Sequence, residues 1–289
     1  MEVKRITGHT RLTCLLGSPV SHSVSPAMHN ESFEYCGLDY VYLAFDVPPE
    51  KFNQAVDGLI IMNARGFNCT MPHKRMMYER ADVLSEEAQL IGAVNTVVQE
   101  NGILTGYNTD GKGYMTAVKD AGHDILGGKM TLLGAGGAAA SIVAQAALDG
   151  VAKIDLIARK GKSWNAVQEV VDRVNKRTVC EVCMYELDDR KQVKKSIGES
   201  RILVNASSVG MSPHEDGCLV PDETYLYPEL IVSDVIYNPR KTRLLRMAEQ
   251  TGCRTFNGMY MLLYQGAYAF ELWTGKQMPV ALVKEKYFR

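Results

Sequence analysis

Residues 129–140 read Lys129-Met-Thr-Leu-Leu-Gly-Ala-Gly-Gly-Ala-Ala-Ala140, and they are the clearest indication of the architecture of the second half of the chain. Its first five residues form an apolar run that is typical of a short buried strand. The run leads directly into Gly134-x-Gly136-x-x-Ala139, in which the first glycine allows a tight turn and the second lets the backbone approach a pyrophosphate. A following helix would offer unpaired N–H groups and a positive dipole end to that ligand. The stretch predicts a dinucleotide-binding loop, and an ordinary packing turn is the alternative.

The residues after the loop complete a strand–helix–strand unit. A helix is predicted over 141–148, with Gly150 as its C-terminal cap, and the apolar run 153–158 predicts the next strand. Further strands are predicted at 202–205 and 230–234. Strands that alternate with helices are typical of a doubly wound parallel sheet. We therefore predict a Rossmann-type α/β dinucleotide-binding domain over residues 116–245.

The first 115 residues predict a separate N-terminal α/β domain, which we assign to substrate binding. Strands are predicted at 12–16, 40–46 and 66–71, a helix at 52–61, and a hairpin formed by 93–98 and 103–107. Asn101-Gly102 is a typical turn for that hairpin. Residues 246–289 are predicted to be mostly helical, with one apolar helix over 260–273, and they could pack back on either domain.

Composition excludes several classes of protein. The 289 residues carry a net charge of −1, so no bulk positive field attracts nucleic acid or an anionic membrane. No apolar run reaches the ~20 residues that cross a bilayer, and the charged start, residues 1–5, is unlike a signal peptide. Seven scattered cysteines do not suggest a secreted disulfide framework, and Cys180-x-x-Cys183 has no second pair to complete a zinc site. We expect a soluble, cytoplasmic protein without a metal.

The end of the second predicted strand bears on the choice of cofactor. An acid there would bind the ribose 2′-hydroxyl of NAD, whereas basic groups accommodate the 2′-phosphate of NADP. The chain reads Ala158-Arg-Lys-Gly-Lys162 and has no acid at this point. Arg159, Lys160 and Lys162 can form a cationic pocket for a phosphate, although a solvated basic turn is the alternative. The sequence favours NADP and leaves NAD open.

Four polar segments of the first domain are candidates for substrate binding: 17–26, 68–74, 92–96 and 106–110. Ser23 and Ser25 open a predicted helix and could donate hydrogen bonds to a carboxylate. Thr70 offers another hydroxyl. Lys74 begins the next predicted helix, where a cation opposes the helix dipole, so its position needs a reason other than helix stability.

These four segments, in this order and followed by Gly134-Ala135-Gly136-Gly137-Ala138, resemble the shikimate dehydrogenase family. The resemblance continues at 205–207, 234–239 and 257–266 and covers nearly the whole chain. Tyr237-Asn-Pro, Tyr264-Gln-Gly and Leu272-Trp-Thr-Gly275 are most similar to the quinate/shikimate dehydrogenase subgroup. That subgroup often has an acid in the second-strand turn and uses NAD, whereas this chain has Gly161 and Lys162 there.

The resemblance implies that residues 1–115 bind the substrate and that the helices of 246–289 pack back on them. It also implies a role for each matching residue. Lys74 and Asp110 would be the catalytic pair at the reacting hydroxyl. Substrate would be bound at its carboxylate by Ser23 and Ser25, with Thr70 and Tyr237 nearby, and at its ring hydroxyls by Asn95 and Gln265. The cofactor would be bound by Gly134, Ala135, Gly136, Gly137, Ala138, Arg159, Lys160, Gly258 and Met261.

The function that the resemblance implies is the reversible NADP- or NAD-dependent reduction of 3-dehydroshikimate to shikimate. One alternative is an NAD-dependent quinate/shikimate dehydrogenase of quinate catabolism. A second, of another class, is a non-catalytic regulatory relative that binds shikimate or quinate. The expected partners are these small molecules, with no nucleic acid and no membrane, and the sequence allows a homodimer.

Overall fold

The computed structural model describes residues 6–288, so the charged start lies outside the described part. The chain divides into two compact units. The first comprises Met1–Thr109 and Leu263–Arg289, and the second comprises Asp110–Leu262. The second unit begins at Asp110, and the first unit resumes at Leu263. The domain limits predicted from the sequence, 115 and 246, stay a prediction.

The first unit is built on a six-stranded mixed sheet. Its strands are β1 (Arg11–Gly17), β2 (Tyr40–Asp46), β3 (Gly66–Cys69), β4 (Val83–Leu84), β5 (Thr96–Glu100) and β6 (Ile103–Tyr107). Its helices are α1 (Ser25–Tyr35), α2 (Phe52–Ile61), α3 (Lys74–Arg80) and α4 (Glu86–Ile91), with α11 (Val280–Tyr287) from the end of the chain. The strand order is β2-β1-β3-β5-β6-β4.

The directions of these strands bring the polar segments to one edge. β1 pairs in parallel with β2 and β3, while β5 is antiparallel to both β3 and β6. The carboxyl ends of β1, β3 and β6 and the start of β5 therefore lie along the same edge of the sheet. Each of the four polar segments predicted from the sequence follows or precedes a strand at this edge.

Strand β2 forms one border of the sheet, and a side chain closes part of its open side. The side-chain amide of Asn30 donates to the carbonyl of Tyr42 and accepts from its backbone N–H, both at 2.8 Å. Asn30 lies on α1 and thus pairs with β2 as a neighbouring strand would. Leu43 and Phe45, on the same strand, have exposed side chains.

An aromatic cluster forms the core on one face of this sheet. His29 is fully buried and stacks on Tyr42 with ring centroids 4.5 Å apart, and neither of its ring nitrogens has a hydrogen-bond partner within residues 6–288. Trp273 is also buried, and its indole N–H donates to the carbonyl of Val97 at 2.9 Å. Gly66 is needed beneath it, because a Cβ there would lie 2.4 Å from the indole nitrogen.

The second unit is a doubly wound, all-parallel sheet, as predicted. Its strands are β7 (Lys129–Leu133), β8 (Lys153–Ala158), β9 (Glu181–Glu186), β10 (Ile202–Asn205), β11 (Ile231–Asp234) and β12 (Arg254–Asn257), in the order β12-β11-β10-β7-β8-β9. Its helices are α5 (Asp110–Asp120), α6 (Gly137–Asp149), α7 (Trp164–Arg177), α8 (Arg190–Gly198) and α9 (Arg243–Gln250), and α10 (Met259–Thr274) begins here and continues into the first unit.

The strand order of the second unit creates a switch point. β8 and β9 extend the sheet from one side of β7, and the chain then returns to add β10 on the other side. In open α/β sheets, ligands bind beyond the carboxyl ends of the strands at such a point. The glycine loop at 134–136 follows β7 and therefore occupies this position.

Candidate active site

The loop after β1 presents the two serines predicted to bind a carboxylate. Ser25 is the first residue of α1 and is buried, and its backbone N–H donates to the Ser23 hydroxyl at 3.3 Å. Thr70 follows β3, and its backbone N–H donates to the carbonyl of Leu16 at 2.9 Å. Gly17 makes room for it, since a Cβ at that position would lie 2.2 Å from the Thr70 methyl group. The structure thus places Ser23, Ser25 and Thr70 at one edge.

Lys74 is the first residue of α3, as predicted, and is half-buried. The preceding residue anchors the start of this helix. His73 is buried, its Nε2 lies 2.7 Å from the carbonyl oxygen of Val47, and its ring stacks on Phe52 at 4.6 Å. The carbonyl of Lys74 accepts from the backbone N–H of Val94 at 2.9 Å. Lys74 is therefore held at a fixed position beside the segment that carries Asn95.

Asn95 is buried within a set of polar side chains from three strand ends. Its Oδ1 accepts from the backbone N–H of Thr109 at 2.8 Å and from the hydroxyl of Thr96 at 3.0 Å. Its Nδ2 donates to the Thr109 hydroxyl at 3.0 Å. The Thr96 hydroxyl accepts from Nδ2 of Asn68 at 2.9 Å, and Oδ1 of Asn68 accepts from the Tyr42 hydroxyl at 2.8 Å.

Asp110 is the first residue of α5 and belongs to the second unit. It is buried, and the start of a helix is a favourable place for a carboxylate because of the helix dipole. Gly111 lets α5 approach α6, since a Cβ there would lie 2.2 Å from the carbonyl oxygen of Ser141. Because Thr109 precedes it directly, Asp110 is one residue from the hydrogen-bonded set around Asn95. Gln265 lies on α10, in the part that belongs to the first unit, and is half-buried.

The glycine loop of the second unit has the geometry that its sequence predicts. Gly134 has φ +129°, and a Cβ there would lie 2.7 Å from the carbonyl oxygen of Ala206, the residue after β10. Gly136 caps α6, is exposed, and would direct a Cβ into open space. Gly137 and Ala138 begin α6, and no side chain caps that end by a hydrogen bond. An exposed glycine before an uncapped helix start fits a pyrophosphate.

The basic turn after β8 is exposed, but one of its cations has an acidic partner. Arg159 and Lys160 are both exposed. The ammonium of Lys160 lies 2.5 Å from Oε1 of Glu186, at the end of β9, and 5.9 Å from the ring centre of Trp164. The carboxylate of Glu186 therefore competes with a 2′-phosphate for one lysine of this turn.

The remaining predicted residues also lie at the carboxyl edge of the second sheet. Tyr237 is exposed in the loop after β11. Gly258 follows β12, and a Cβ there would lie within 1.9 Å of the Val235 carbonyl oxygen, so only glycine fits. Met261 is half-buried in the first turn of α10.

Asp234 was part of the resemblance, but no role was assigned to it. Its carboxylate accepts from Asn205 at 3.0 Å, from the backbone N–H of Ile236 at 3.0 Å and from Thr242 at 2.7 Å. Burial raises the pKa of this carboxyl, and the three hydrogen bonds oppose that rise. Asp234 joins the loops after β10 and β11 and so shapes the edge that carries Tyr237.

Two further findings concern the described residues. Among residues 6–288, no group of three or more His, Cys, Asp and Glu side chains is arranged to hold a metal ion. No helix in that part of the chain is long and apolar enough to cross a membrane.

An all-parallel sheet with a glycine loop and an uncapped helix start at its switch point defines a dinucleotide-binding α/β protein. The model of the shikimate dehydrogenase substrate-binding domain matches residues 15–97, and that of the shikimate 5′-dehydrogenase C-terminal domain matches 258–286. A shikimate dehydrogenase (NADP(+)) of Listeria monocytogenes is 52% identical over 99% of this chain and 98% of its own. The chain belongs to the shikimate dehydrogenase family.

Solved structures agree with this assignment. The crystal structure of shikimate 5-dehydrogenase from Listeria monocytogenes in complex with shikimate and NAD has a TM-score of 0.95, with 52% identity over 98% of both chains. Quinate dehydrogenase from Corynebacterium glutamicum in complex with NAD has a TM-score of 0.86, with 28% identity over 96% of this chain and 99% of that one. The predicted family and fold class are confirmed.

Sequence reasoning did not single out Asn68, Thr96 and Thr109 as parts of the site. Each is buried and hydrogen-bonded within the set around Asn95. One signal could have indicated them: an asparagine and a threonine stand together or one residue apart at three strand ends, at 68–70, 95–96 and 108–109. Buried polar groups that face a site normally form such shared hydrogen bonds.

Proposed function

We propose that this protein is a shikimate dehydrogenase that catalyses the reversible reduction of 3-dehydroshikimate to shikimate, with NADP as its main cofactor and NAD as a second. The observation that carries the proposal is the 52% identity to a shikimate dehydrogenase (NADP(+)) along almost the entire chain. The cytoplasm is the proposed compartment. A homodimer is the oligomeric state to test first, by light scattering after gel filtration.

Substrate binding is proposed to use hydroxyl and amide groups at the edge of the first sheet. The hydroxyls of Ser23 and Ser25 would donate to the ring carboxylate, with Thr70 and Tyr237 nearby. Asn95 and Gln265 would bind ring hydroxyls. The common edge position of Ser25, Thr70 and Asn95 supports these roles, because neutral donors there can satisfy a polyhydroxylated acid without burying an unpaired charge.

Proton transfer is assigned to Lys74 and Asp110. A dinucleotide held by the glycine loop would provide the hydride chemistry at the substrate carbon that bears the reacting hydroxyl. In the oxidation direction, the Lys74 amine accepts the hydroxyl proton as hydride leaves the same carbon. Asp110 would accept hydrogen bonds and so orient both the lysine and the hydroxyl. The fixed start of α3 and the buried position of Asp110 support this division of roles.

Cofactor binding is proposed at the loop Gly134-Ala135-Gly136-Gly137-Ala138. Exposed backbone N–H groups at the start of α6 would donate to the pyrophosphate, and Gly258 and Met261 would line the nicotinamide side. Arg159 and Lys160 would face the 2′-phosphate. The pairing of Lys160 with Glu186 supports use of both dinucleotides, because part of the local positive charge is already neutralised.

A four-way assay at 340 nm tests the proposal. Purified protein is given shikimate or quinate, each with NADP or NAD. The expected result is the highest kcat/KM with shikimate and NADP. A preference for quinate with NAD would favour the catabolic alternative. Binding of shikimate without turnover in any combination would overturn the proposal in favour of the non-catalytic relative.

A further inference from the structure

Thr96 stands between two amide side chains at the first sheet's edge and is itself completely buried. Its hydroxyl accepts from Asn68 at 2.9 Å and has one proton to give. Two acceptors are near, Oδ1 of Asn95 at 3.0 Å and the Thr109 hydroxyl at 3.3 Å. Both belong to the group of atoms that surrounds the Asn95 amide, so the Thr96 hydroxyl links Asn68 to Asn95.

The orientation of the Asn95 amide follows from backbone groups that can act in only one way. The backbone N–H of Thr109 can only donate, so the amide atom that lies 2.8 Å from it must be the oxygen. Asn68 is oriented in the same manner, because the backbone carbonyl of Asn95 can only accept and lies 3.0 Å from Nδ2 of Asn68. These assignments also fit the bonds made by Thr96.

The chemical consequence is that the amino group is the part of the Asn95 amide that can donate: it donates to the Thr109 hydroxyl at 3.0 Å and, in the proposed function, to a ring oxygen of the substrate. The amide oxygen is engaged by two donors of the protein, Thr109 and Thr96. A rotation of the amide by 180° would direct an N–H group at the backbone N–H of Thr109, which cannot accept, and is therefore excluded. An amino group donates to the oxygen of a ligand hydroxyl or ketone and cannot accept from it.

We propose that Thr96 is a positioning residue for Asn95: its hydroxyl, together with the backbone N–H of Thr109, holds the amide so that Asn95 donates to one ring oxygen of the substrate. This inference rests on the proposed function, in which Asn95 binds a ring hydroxyl. Thr96 lies behind Asn95 and acts through it. The hydroxyl matters and the shape of the side chain does not, because the hydroxyl is the group that touches the amide.

A double-mutant cycle tests the inference. Thr96→Val keeps the shape of the side chain and removes its hydroxyl. With Asn95 present, kcat/KM for shikimate is expected to fall about tenfold, the effect of one lost orienting hydrogen bond. In the Asn95→Ala background the same change is expected to cost less than about twofold, since no amide remains to be oriented. Thr96→Ser is expected to restore most of the loss.

The control is Thr13→Val in β1. Thr13 is also fully buried, and its hydroxyl donates to the carbonyl of Val41 at 3.0 Å, outside the set around Asn95. This variant is expected to leave kcat/KM unchanged. If Thr96→Val does not fold, the cycle is repeated with Thr96→Ala, which also removes the hydroxyl that donates to Asn95.

Three results are distinguishable. A tenfold loss with Asn95 and a much smaller one without it supports the inference. Equal losses in both backgrounds, or no loss with Asn95 present, overturn it while leaving the proposed function intact. A wild-type protein without shikimate turnover overturns the proposed function, and the inference falls with it.

Discussion

Replacing two glycines of the dinucleotide loop by alanine should affect different properties: stability for Gly134 and cofactor binding for Gly136. Gly134 has φ +129°, a conformation that costs a residue with a side chain about 1–3 kcal/mol. The new Cβ would also meet the Ala206 carbonyl oxygen at 2.7 Å, and relieving that contact costs about 1–3 kcal/mol more. Gly134→Ala should therefore destabilise the unit by about 4 kcal/mol, which lowers its Tm by about 8–16 °C.

Gly136→Ala should leave stability unchanged and abolish tight cofactor binding. Its φ of −89° suits any residue, and its Cβ would meet nothing within 4 Å. A pyrophosphate at the start of α6 would be displaced by the added methyl group and would lose about two charge-assisted hydrogen bonds. That loss, about 3 kcal/mol, weakens dinucleotide binding about a hundredfold.

Thermal unfolding without cofactor and titration with NADPH, followed by its fluorescence, measure both effects. Gly198→Ala is the matched control, because Gly198 ends α8, has no positive φ and has open space around its Cβ position. Gly150→Ala isolates backbone strain, since Gly150 has φ +104° and nothing within 4 Å. If Gly136→Ala bound NADPH like the wild type, the loop would not hold the pyrophosphate. If Gly134→Ala melted like the wild type, the close-approach argument would be wrong.

Three further predictions concern catalysis, pH and cofactor choice. Lys74→Ala should lower kcat at least a hundredfold while the protein stays folded; near-normal turnover in the 340 nm assay would remove Lys74 from proton transfer. Burial lowers the pKa of His29 from 6.5 to about 3. Unfolding below about pH 6.5 therefore takes up a proton, and the protein loses stability as the pH falls from 6.5 towards 3. The free energy of unfolding, measured by urea denaturation at pH 5 and pH 7.5, should be about 2 kcal/mol lower at pH 5, and His29→Phe should lack this difference. If wild type and His29→Phe depended on pH in the same way, His29 would not be the group responsible. Glu186→Gln releases Lys160 and should raise the ratio of kcat/KM for NADP over NAD about two- to fivefold, whereas an unchanged ratio would show that Lys160 does not reach the 2′-phosphate.

The local elements of the fold could be predicted because their signals are contiguous. The strand at 153–158 is rich in apolar residues and ends at the basic turn that begins with Arg159, and the structure confirms its limits. The turn at Asn101-Gly102 has φ values of 53° and 85°, the left-handed conformation that this pair favours. The helix cap at Gly150 is likewise confirmed.

Pairings between distant segments could not be predicted in the same way. The antiparallel contact of β3 with β5 makes the first sheet mixed, and nothing in the sequence of either strand specifies its neighbour. The strand β12 was not predicted either, because Arg254–Asn257 is short and only partly buried. Strand order depends on packing across the whole unit, which a single sequence does not reveal.

The residues of the candidate site likewise fall into those that the sequence indicates and those that only the contacts reveal. Lys74 and Asp110 stand out as charged residues at motif positions, and the resemblance gives them roles. Asn68 and Thr96 are 28 residues apart in sequence but hydrogen-bonded in the structure. Their residue types are common in turns, so their function could be inferred only from the contact between them.

The pairing of Asn30 with Tyr42 bears on how the protein behaves at high concentration. An open strand edge with exposed apolar side chains invites another molecule to add a strand, and growth of that kind leads to fibrils. Here, beside Leu43 and Phe45, an incoming chain would find the Tyr42 N–H and carbonyl already taken. One asparagine thus occupies the backbone groups that a further strand would need, which makes edge-to-edge association of folded copies less favourable at this point of the border.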